Sequence, residues 1–149
     1  MAISTNDIID KFGTSVNVVA SASGVADGGF SVAGTTNDWT NTGNAVEAAL
    51  VFNGVFSASA NGGGTINVHM QTVTASGSSP EPSTDYLGSK IASLTVDAGN
   101  LTQTGLFTIA ELPNLKDQQI YKAWLENQAG QTIDSYSLYI TPKTPGPSA

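Results

Sequence analysis

The feature that most constrains this fold is an alternation of apolar and polar residues that recurs from Ser15 onward. Side chains of a β-strand point to opposite faces in turn, so a period of two predicts a strand with one buried face. Glycine, asparagine and aspartate mark turns between the alternating runs. The predicted strands cover residues 16–20, 30–32, 46–52, 55–60, 66–71, 91–96, 106–109, 120–125 and 133–140.

Eight or nine short strands with no helical segment between them indicate an all-β fold. We therefore expect a single antiparallel β-sandwich or jelly-roll-like domain over residues 14–141. A chain of 149 residues is a common size for one domain, and folding buries roughly 70% of the unfolded surface at that length. Residues 142–149 hold three prolines and predict an extended C-terminal tail.

The pair Asn53–Gly54 is the strongest turn signal in the sequence. A type I′ turn needs positive φ at both central residues, so the pair predicts a tight hairpin between its flanking strands. In that register Phe52 faces Val55 and Val51 faces Phe56, which makes both faces apolar. One face enters the core and the other needs a cover. The cover is either a loop of the same chain or, as we favour, a neighbouring subunit of a homo-oligomer.

The first thirteen residues predict a short helical arm. Its N-cap is Ser4 or Thr5, and Gly13 ends it. One side of the helix carries Ile8, Ile9 and Phe12. Because so short a helix is not stable alone in water, it must dock either on its own domain or on a neighbouring subunit.

Charge excludes several classes of partner. Charged residues make up 11% of the chain, against roughly 25% in ordinary soluble domains. The five basic residues are all lysines and the net charge is −7, so neither nucleic acid nor an anionic membrane is an expected partner. Without cysteine the chain has no disulfide and no thiolate metal site. The first residues have neither the basic region nor the apolar region of a signal peptide, so we expect no secretion signal and synthesis in the cytoplasm.

Candidate catalytic and metal-binding residues are few. His69 is the only histidine and lies in the middle of a predicted strand, where it is expected to face solvent or to hydrogen-bond along the ladder. No nucleophile elbow accompanies it. Asp38, Asp97 and Asp134 lie near loops but do not have the spacing of a calcium loop. We therefore expect no catalytic residue, no metal and no cofactor, and the chain is not expected to be an enzyme.

The two tryptophans differ in their surroundings. Trp124 alternates with apolar residues and is expected in the core. Trp39 lies in a polar loop, which leaves three roles open: a platform that stacks on a sugar ring, a subunit contact, or a lid on the core. The first role would make the protein a carbohydrate-binding or adhesin module.

Residues 86–142 resemble small β-rich structural proteins of tailed bacteriophages. The resemblance rests on Ser93-Leu94-Thr95-Val96-Asp97-Ala98, Ala110-Glu111-Leu112-Pro113, Leu125-Glu126-Asn127-Gln128-Ala129-Gly130 and Ser137-Leu138-Tyr139-Ile140-Thr141-Pro142. It implies a virion component, either a head decoration (cement) protein on the major capsid protein or a tail-associated module, with a trimer as its oligomer. The residues expected to bind partners are Ile8, Ile9, Phe12, Trp39, Val51 and Phe56.

Overall fold

The computed structural model describes residues 8–31, 38–41, 43, 45–72, 89–113 and 120–147. Within these ranges the regular structure is entirely β, and no helix is present that could span a membrane. The strands are β1 (Ile8–Phe12), β2 (Val16–Ser21), β3 (Trp39–Thr40), β4 (Glu47–Phe56), β5 (Thr65–Thr72), β6 (Ser89–Thr95), β7 (Thr102–Glu111), β8 (Ile120–Gln128) and β9 (Ile133–Pro147).

The strands form two antiparallel sheets in a sandwich-like arrangement, as the sequence predicts. In the five-stranded sheet, β1 and β2 pair with successive stretches of β9, and β4 and β7 follow. The four-stranded sheet has the order β3-β8-β5-β6. Every pairing between strands is antiparallel.

The pairings are nested about the connection between β5 and β6. Strand β5 pairs with β6, β4 with β7, β3 with β8 and β2 with β9, as in one long hairpin folded at its middle. Successive pairs fall alternately in the two sheets, which brings β9 beside β4 and β8 beside β5. The chain therefore crosses between the sheets at nearly every connection.

The core lies between the inner faces of the two sheets. The alternation seen in the sequence places the apolar residues there, and the largest fully buried ones include Leu50, Phe52, Phe56, Ile66, Leu125, Leu138 and Ile140. Burial of such side chains is the main favourable contribution to folding.

Two crossings between the sheets are fixed by buried amide side chains. Gln103 accepts a hydrogen bond from the Asp97 backbone nitrogen at 2.7 Å and donates to the Asp97 carbonyl at 2.9 Å. Asn127 donates to the carbonyls of Val25 and Gln131 at 2.9 and 2.7 Å. Both side chains are fully buried. Their hydrogen bonds pair backbone nitrogen and carbonyl groups that lie outside the strand ladders.

The predicted hairpin at Asn53–Gly54 is wrong. Both residues lie inside β4, which runs unbroken to Phe56 and pairs with β9 on one side and β7 on the other. Gly54 does not have a positive φ. Instead, a Cβ at this position would lie 2.6 Å from the Phe52 ring. The glycine is needed for close packing rather than for a turn.

The predicted helix over the first residues is wrong for Ile8–Phe12, which form β1 and pair with residues 143–147 of β9. A helix that short has no stability of its own, whereas β9 offers an unpaired edge. The predicted extended tail over residues 142–149 lies partly outside the described residues, and its residues 142–147 belong to β9, where 143–147 pair with β1.

Pro145 and Pro147 fit this ladder because of the side of β9 to which their nitrogens point. The Pro142 carbonyl accepts a hydrogen bond from the Gly13 nitrogen at 2.9 Å, and successive residues direct their backbone groups to opposite sides. Pro145 and Pro147 therefore direct their nitrogens to the side of β4. Strand β4 begins at Glu47 opposite Lys143, so no ladder bond is lost there.

Candidate functional site

The outer face of the five-stranded sheet carries an apolar surface that no described residue covers. Cross-strand pairing aligns Ile109 with Ala49, and Phe107 with Val51 and Tyr139. Phe107 is 58% exposed, Ile109 44% and Tyr139 37%. We call these five residues the sheet patch. Together they form one contiguous apolar area rather than scattered single residues.

Polar residues border the sheet patch at both ends of the strands. At one end Lys143 Nζ lies 2.9 Å from Glu47 Oε2, with Glu111 paired opposite Glu47. At the other end the Asn53 side chain accepts a hydrogen bond from the Gly105 nitrogen at 2.8 Å. An apolar centre with a polar rim is the usual organisation of a protein-binding surface.

Strand β7 forms one edge of this sheet and carries two patch residues. It is ten residues long, with no lysine and no proline among them. Charges and prolines are the usual devices that keep an exposed edge from pairing with another chain. The edge is interrupted only at Gly105, which has a φ of +67°.

The residues predicted to bind partners are separated by the fold. Val51 lies at the centre of the sheet patch, and Phe12 is exposed on the same face, opposite Lys143. Ile8 and Ile9 lie in β1, but their side chains fall outside the described residues.

The predictions for Phe56 and Trp39 as partner-binding residues are wrong, because both side chains are buried. Phe56 is 1% exposed in the core. Trp39 is 5% exposed and packs on Tyr121 with ring centroids 5.7 Å apart. Of its three possible roles, Trp39 has that of a lid on the core, and it does not present a stacking platform.

Phe107, Ile109 and Tyr139 were missed by the sequence reasoning. The signal was present, since Leu106 to Ala110 places apolar residues on both faces of one strand. The false hairpin paired Val51 with Phe56, whereas its actual neighbours are Phe107 and Tyr139. The inference that this face is apolar was right, but the partners were wrong.

A polar network occupies the outer face of the four-stranded sheet. Glu126 Oε2 accepts hydrogen bonds from His69 Nε2 at 2.8 Å and Asn67 Nδ2 at 2.9 Å, and Oε1 accepts one from Gln128 at 2.9 Å. Partial burial alone would raise the pKa of Glu126. The hydrogen bonds from Asn67, His69 and Gln128 outweigh it, so the pKa lies below its ordinary value.

The network makes His69 a buried, hydrogen-bonded residue of the ladder, 7% exposed, and not one that faces solvent. Trp124 lies opposite it and is also buried, on the sheet face away from the central core. A catalytic triad needs a hydroxyl that donates to the second ring nitrogen. Within the described ranges His69 Nδ1 has no such partner.

The three aspartates considered for calcium lie apart in the described fold. Asp38 Oδ1 is 3.6 Å from Lys122 Nζ, and the Asp97 backbone is held by Gln103. No group of three possible metal ligands occurs among the described residues.

Comparisons with protein-family models, with curated proteins and with solved structures found no match.

Proposed function

We propose that the protein is a non-enzymatic virion structural protein, a capsid decoration (cement) protein that assembles as a homo-oligomer on the head shell. The observation that carries the proposal is the sheet patch, an exposed apolar area with a polar rim. The sequence resemblance of residues 86–142 to phage structural proteins supplies the virion setting and the trimer. A tail-associated position on the virion is the second candidate, and it rests on the same resemblance.

The strand order supports a finer description of the fold, which we infer to be a jelly roll. Eight strands, β2 to β9, divide into two sheets of four. Their pairs are nested like those of one long hairpin that has been rolled into two sheets. Jelly rolls are common in viral capsid proteins, which agrees with the virion proposal. The fold alone does not establish a function.

The sheet patch is proposed as the contact between subunits. Large aromatic side chains such as Phe107 and Tyr139 are enriched at interfaces, because they bury much area for little loss of conformational freedom. Their burial against a second subunit would also shield the β7 edge, which has no lysine and no proline. Because such contacts are non-covalent and apolar, assembly needs no cofactor and no metal.

Strand β1 and residues 143–147 are proposed as the arm that attaches to the major capsid protein. Beyond Lys143 no other described strand pairs with this two-stranded ribbon, because β4 begins opposite that residue. A two-stranded ribbon is marginally stable in isolation. Packing on a capsid subunit would stabilise it.

The patch is tested by replacing Phe107 with serine. We expect the wild type to sediment as an oligomer and Phe107→Ser to sediment as a monomer, because the variant loses a central aromatic contact. Leu101→Ser is the matched control, since Leu101 is 49% exposed outside the patch. Circular dichroism must show that all three proteins keep their β structure. A monomeric wild type, or a Phe107→Ser variant that assembles normally, would contradict the proposed interface.

The virion assignment is tested by mass spectrometry of purified particles from the source of the sequence. The protein should be present in many copies per head, and stripped heads should bind added protein and gain resistance to heat. Particles that lack the protein, or heads that do not bind it, would refute the assignment without affecting the subunit contact.

A further inference from the structure

We propose that a cavity at one open end of the sandwich binds a neutral sugar ring. This site is separate from the sheet patch, and its test does not depend on the virion assignment. The cavity has a volume of about 400 Å³ and is lined by the link between β1 and β2, the β3 region and the end of β9. Ligand pockets typically have volumes of roughly 300–1,000 Å³.

The alternation of β9 determines where the cavity lies. Leu138 and Ile140 point into the core, so Pro142 and Thr144 continue the same inward row past its end. Both residues line the cavity, and Trp39 lines it from the opposite sheet. The cavity is thus the mouth of the space between the sheets, whereas the sheet patch lies on the outer face.

The lining combines hydroxyl groups with apolar walls. Thr14, Thr40 and Thr144 can each donate and accept one hydrogen bond, which matches the hydroxyls of a sugar. Val16 and Pro142 supply apolar surface for the C–H faces of the ring. A purely apolar ligand would cover the three hydroxyls without offering them hydrogen bonds, which is costly wherever they lose contact with water.

The nearby charges favour a neutral ligand. Among the described residues that line the cavity, only Asp38 is charged, so an anionic ligand would be repelled. Its carboxylate lies 3.6 Å from the Lys122 ammonium group, which partly neutralises it and weakens its attraction for a cation. A carboxylate in this state still accepts hydrogen bonds from sugar hydroxyls.

The amide of Asn41 is not available to a ligand. It donates to the Ala45 carbonyl and accepts from the Ala45 nitrogen, both at 2.9 Å, and it is buried. These two bonds instead fix Asn41 against Ala45 in the segment that follows β3. Among the described side chains of the lining, the groups left for recognition are the three threonine hydroxyls and the Asp38 carboxylate.

The test is an NMR titration of the wild-type protein with glucose, galactose, mannose, N-acetylglucosamine and rhamnose. At least one of these should give saturable shifts at Thr14, Thr40 and Thr144. Thr144→Val and Asp38→Asn should each weaken that binding about threefold to tenfold, as expected for the loss of one hydrogen bond. Thr95→Val is the matched control, because Thr95 is exposed on β6 and does not line the cavity, and it should leave the affinity unchanged.

Two charged sugars test the ligand class. Glucosamine and glucuronate should both bind more weakly than the best neutral sugar. The proposal is overturned if no neutral sugar gives saturable shifts, if a charged sugar binds more tightly, or if Thr95→Val weakens binding as much as Thr144→Val does.

Discussion

At the scale of single residues, the roles of Gly54 and Glu126 depend on their neighbours in the fold more than on the residues beside them in the sequence. Gly54 follows asparagine in a pair that favours a turn, yet it lies in a central strand under the Phe52 ring. Glu126 accepts hydrogen bonds from three side chains, those of Asn67, His69 and Gln128.

Replacing Gly54 with alanine should destabilise the protein by about 1–3 kcal/mol, the usual effect of overpacking. The new methyl group would lie 2.6 and 2.9 Å from two atoms of the Phe52 ring. That ring is fully buried, so moving it would disturb the packed core. Thermal unfolding measures the effect. Adding Phe52→Leu should recover part of the loss, so additive effects of the two changes would show that their contact is not the cause.

The lowered pKa of Glu126 predicts a dependence of stability on pH. Because the folded state binds this proton less readily than the unfolded state, the contribution of Glu126 is present above its unfolded pKa and is lost as pH falls through the folded value. Glu126→Gln should therefore be less stable than the wild type at pH 7, and the difference should shrink in acid. Chemical denaturation across this range measures it, and two parallel curves would contradict the role of the network.

At the scale of elements, the strand β1 and the end of β9 form a unit of their own. Strand β1 pairs only with residues 143–147, most of which lie past the start of β4. The remaining strands keep all their partners without it. Local stability differs along a chain, and a two-stranded ribbon belongs to its less stable part.

Deleting residues 1–12 should leave the sandwich folded and weaken attachment to the particle. A melting curve by circular dichroism should stay cooperative, while binding to stripped heads should fall. Deletion of residues 1–7 is the matched control, because it retains β1. An unfolded product, or a truncated protein that binds its particle normally, would contradict the proposed arm.

At the scale of the whole molecule, the two sheets have different outer faces. The outer face of the five-stranded sheet carries the sheet patch, and that of the four-stranded sheet carries the buried polar network around Glu126. The apolar side chains on one outer face are exposed, whereas the polar side chains on the other are hydrogen-bonded to one another. The difference supports the five-stranded sheet as the side that contacts other subunits.

Chelation should have no effect on the folded molecule or on its assembly. The proposed interface is apolar, and the described residues contain no group of ligands suited to a metal ion. The melting temperature and the sedimentation profile should be the same with EDTA and with added calcium. A fall of several degrees on adding EDTA would reveal a metal site that contributes to stability.

The sequence by itself determined the class of the fold and most of the strands. A period of two is a local property of the backbone, so it locates strands such as Ile66–Met70 without knowledge of their neighbours. It also predicted that the face carrying Val51 is apolar. Trp124, expected in the core, is buried instead on the outer face of the four-stranded sheet. The same local reasoning failed at Asn53–Gly54, because a turn preference is weak against the pairing of β4 with two neighbouring strands.

Only the tertiary structure decided which strands meet, and the two proposed binding surfaces depend on those pairings. Periodicity shows that a strand has two faces but not which partner lies beside each one. The sheet patch joins Val51 to Phe107 and Tyr139 across two ladders, and the cavity brings Thr14 beside Thr144 from opposite ends of the chain. Such contacts depend on the closure of long loops and on packing of the whole core, which no short stretch of sequence encodes.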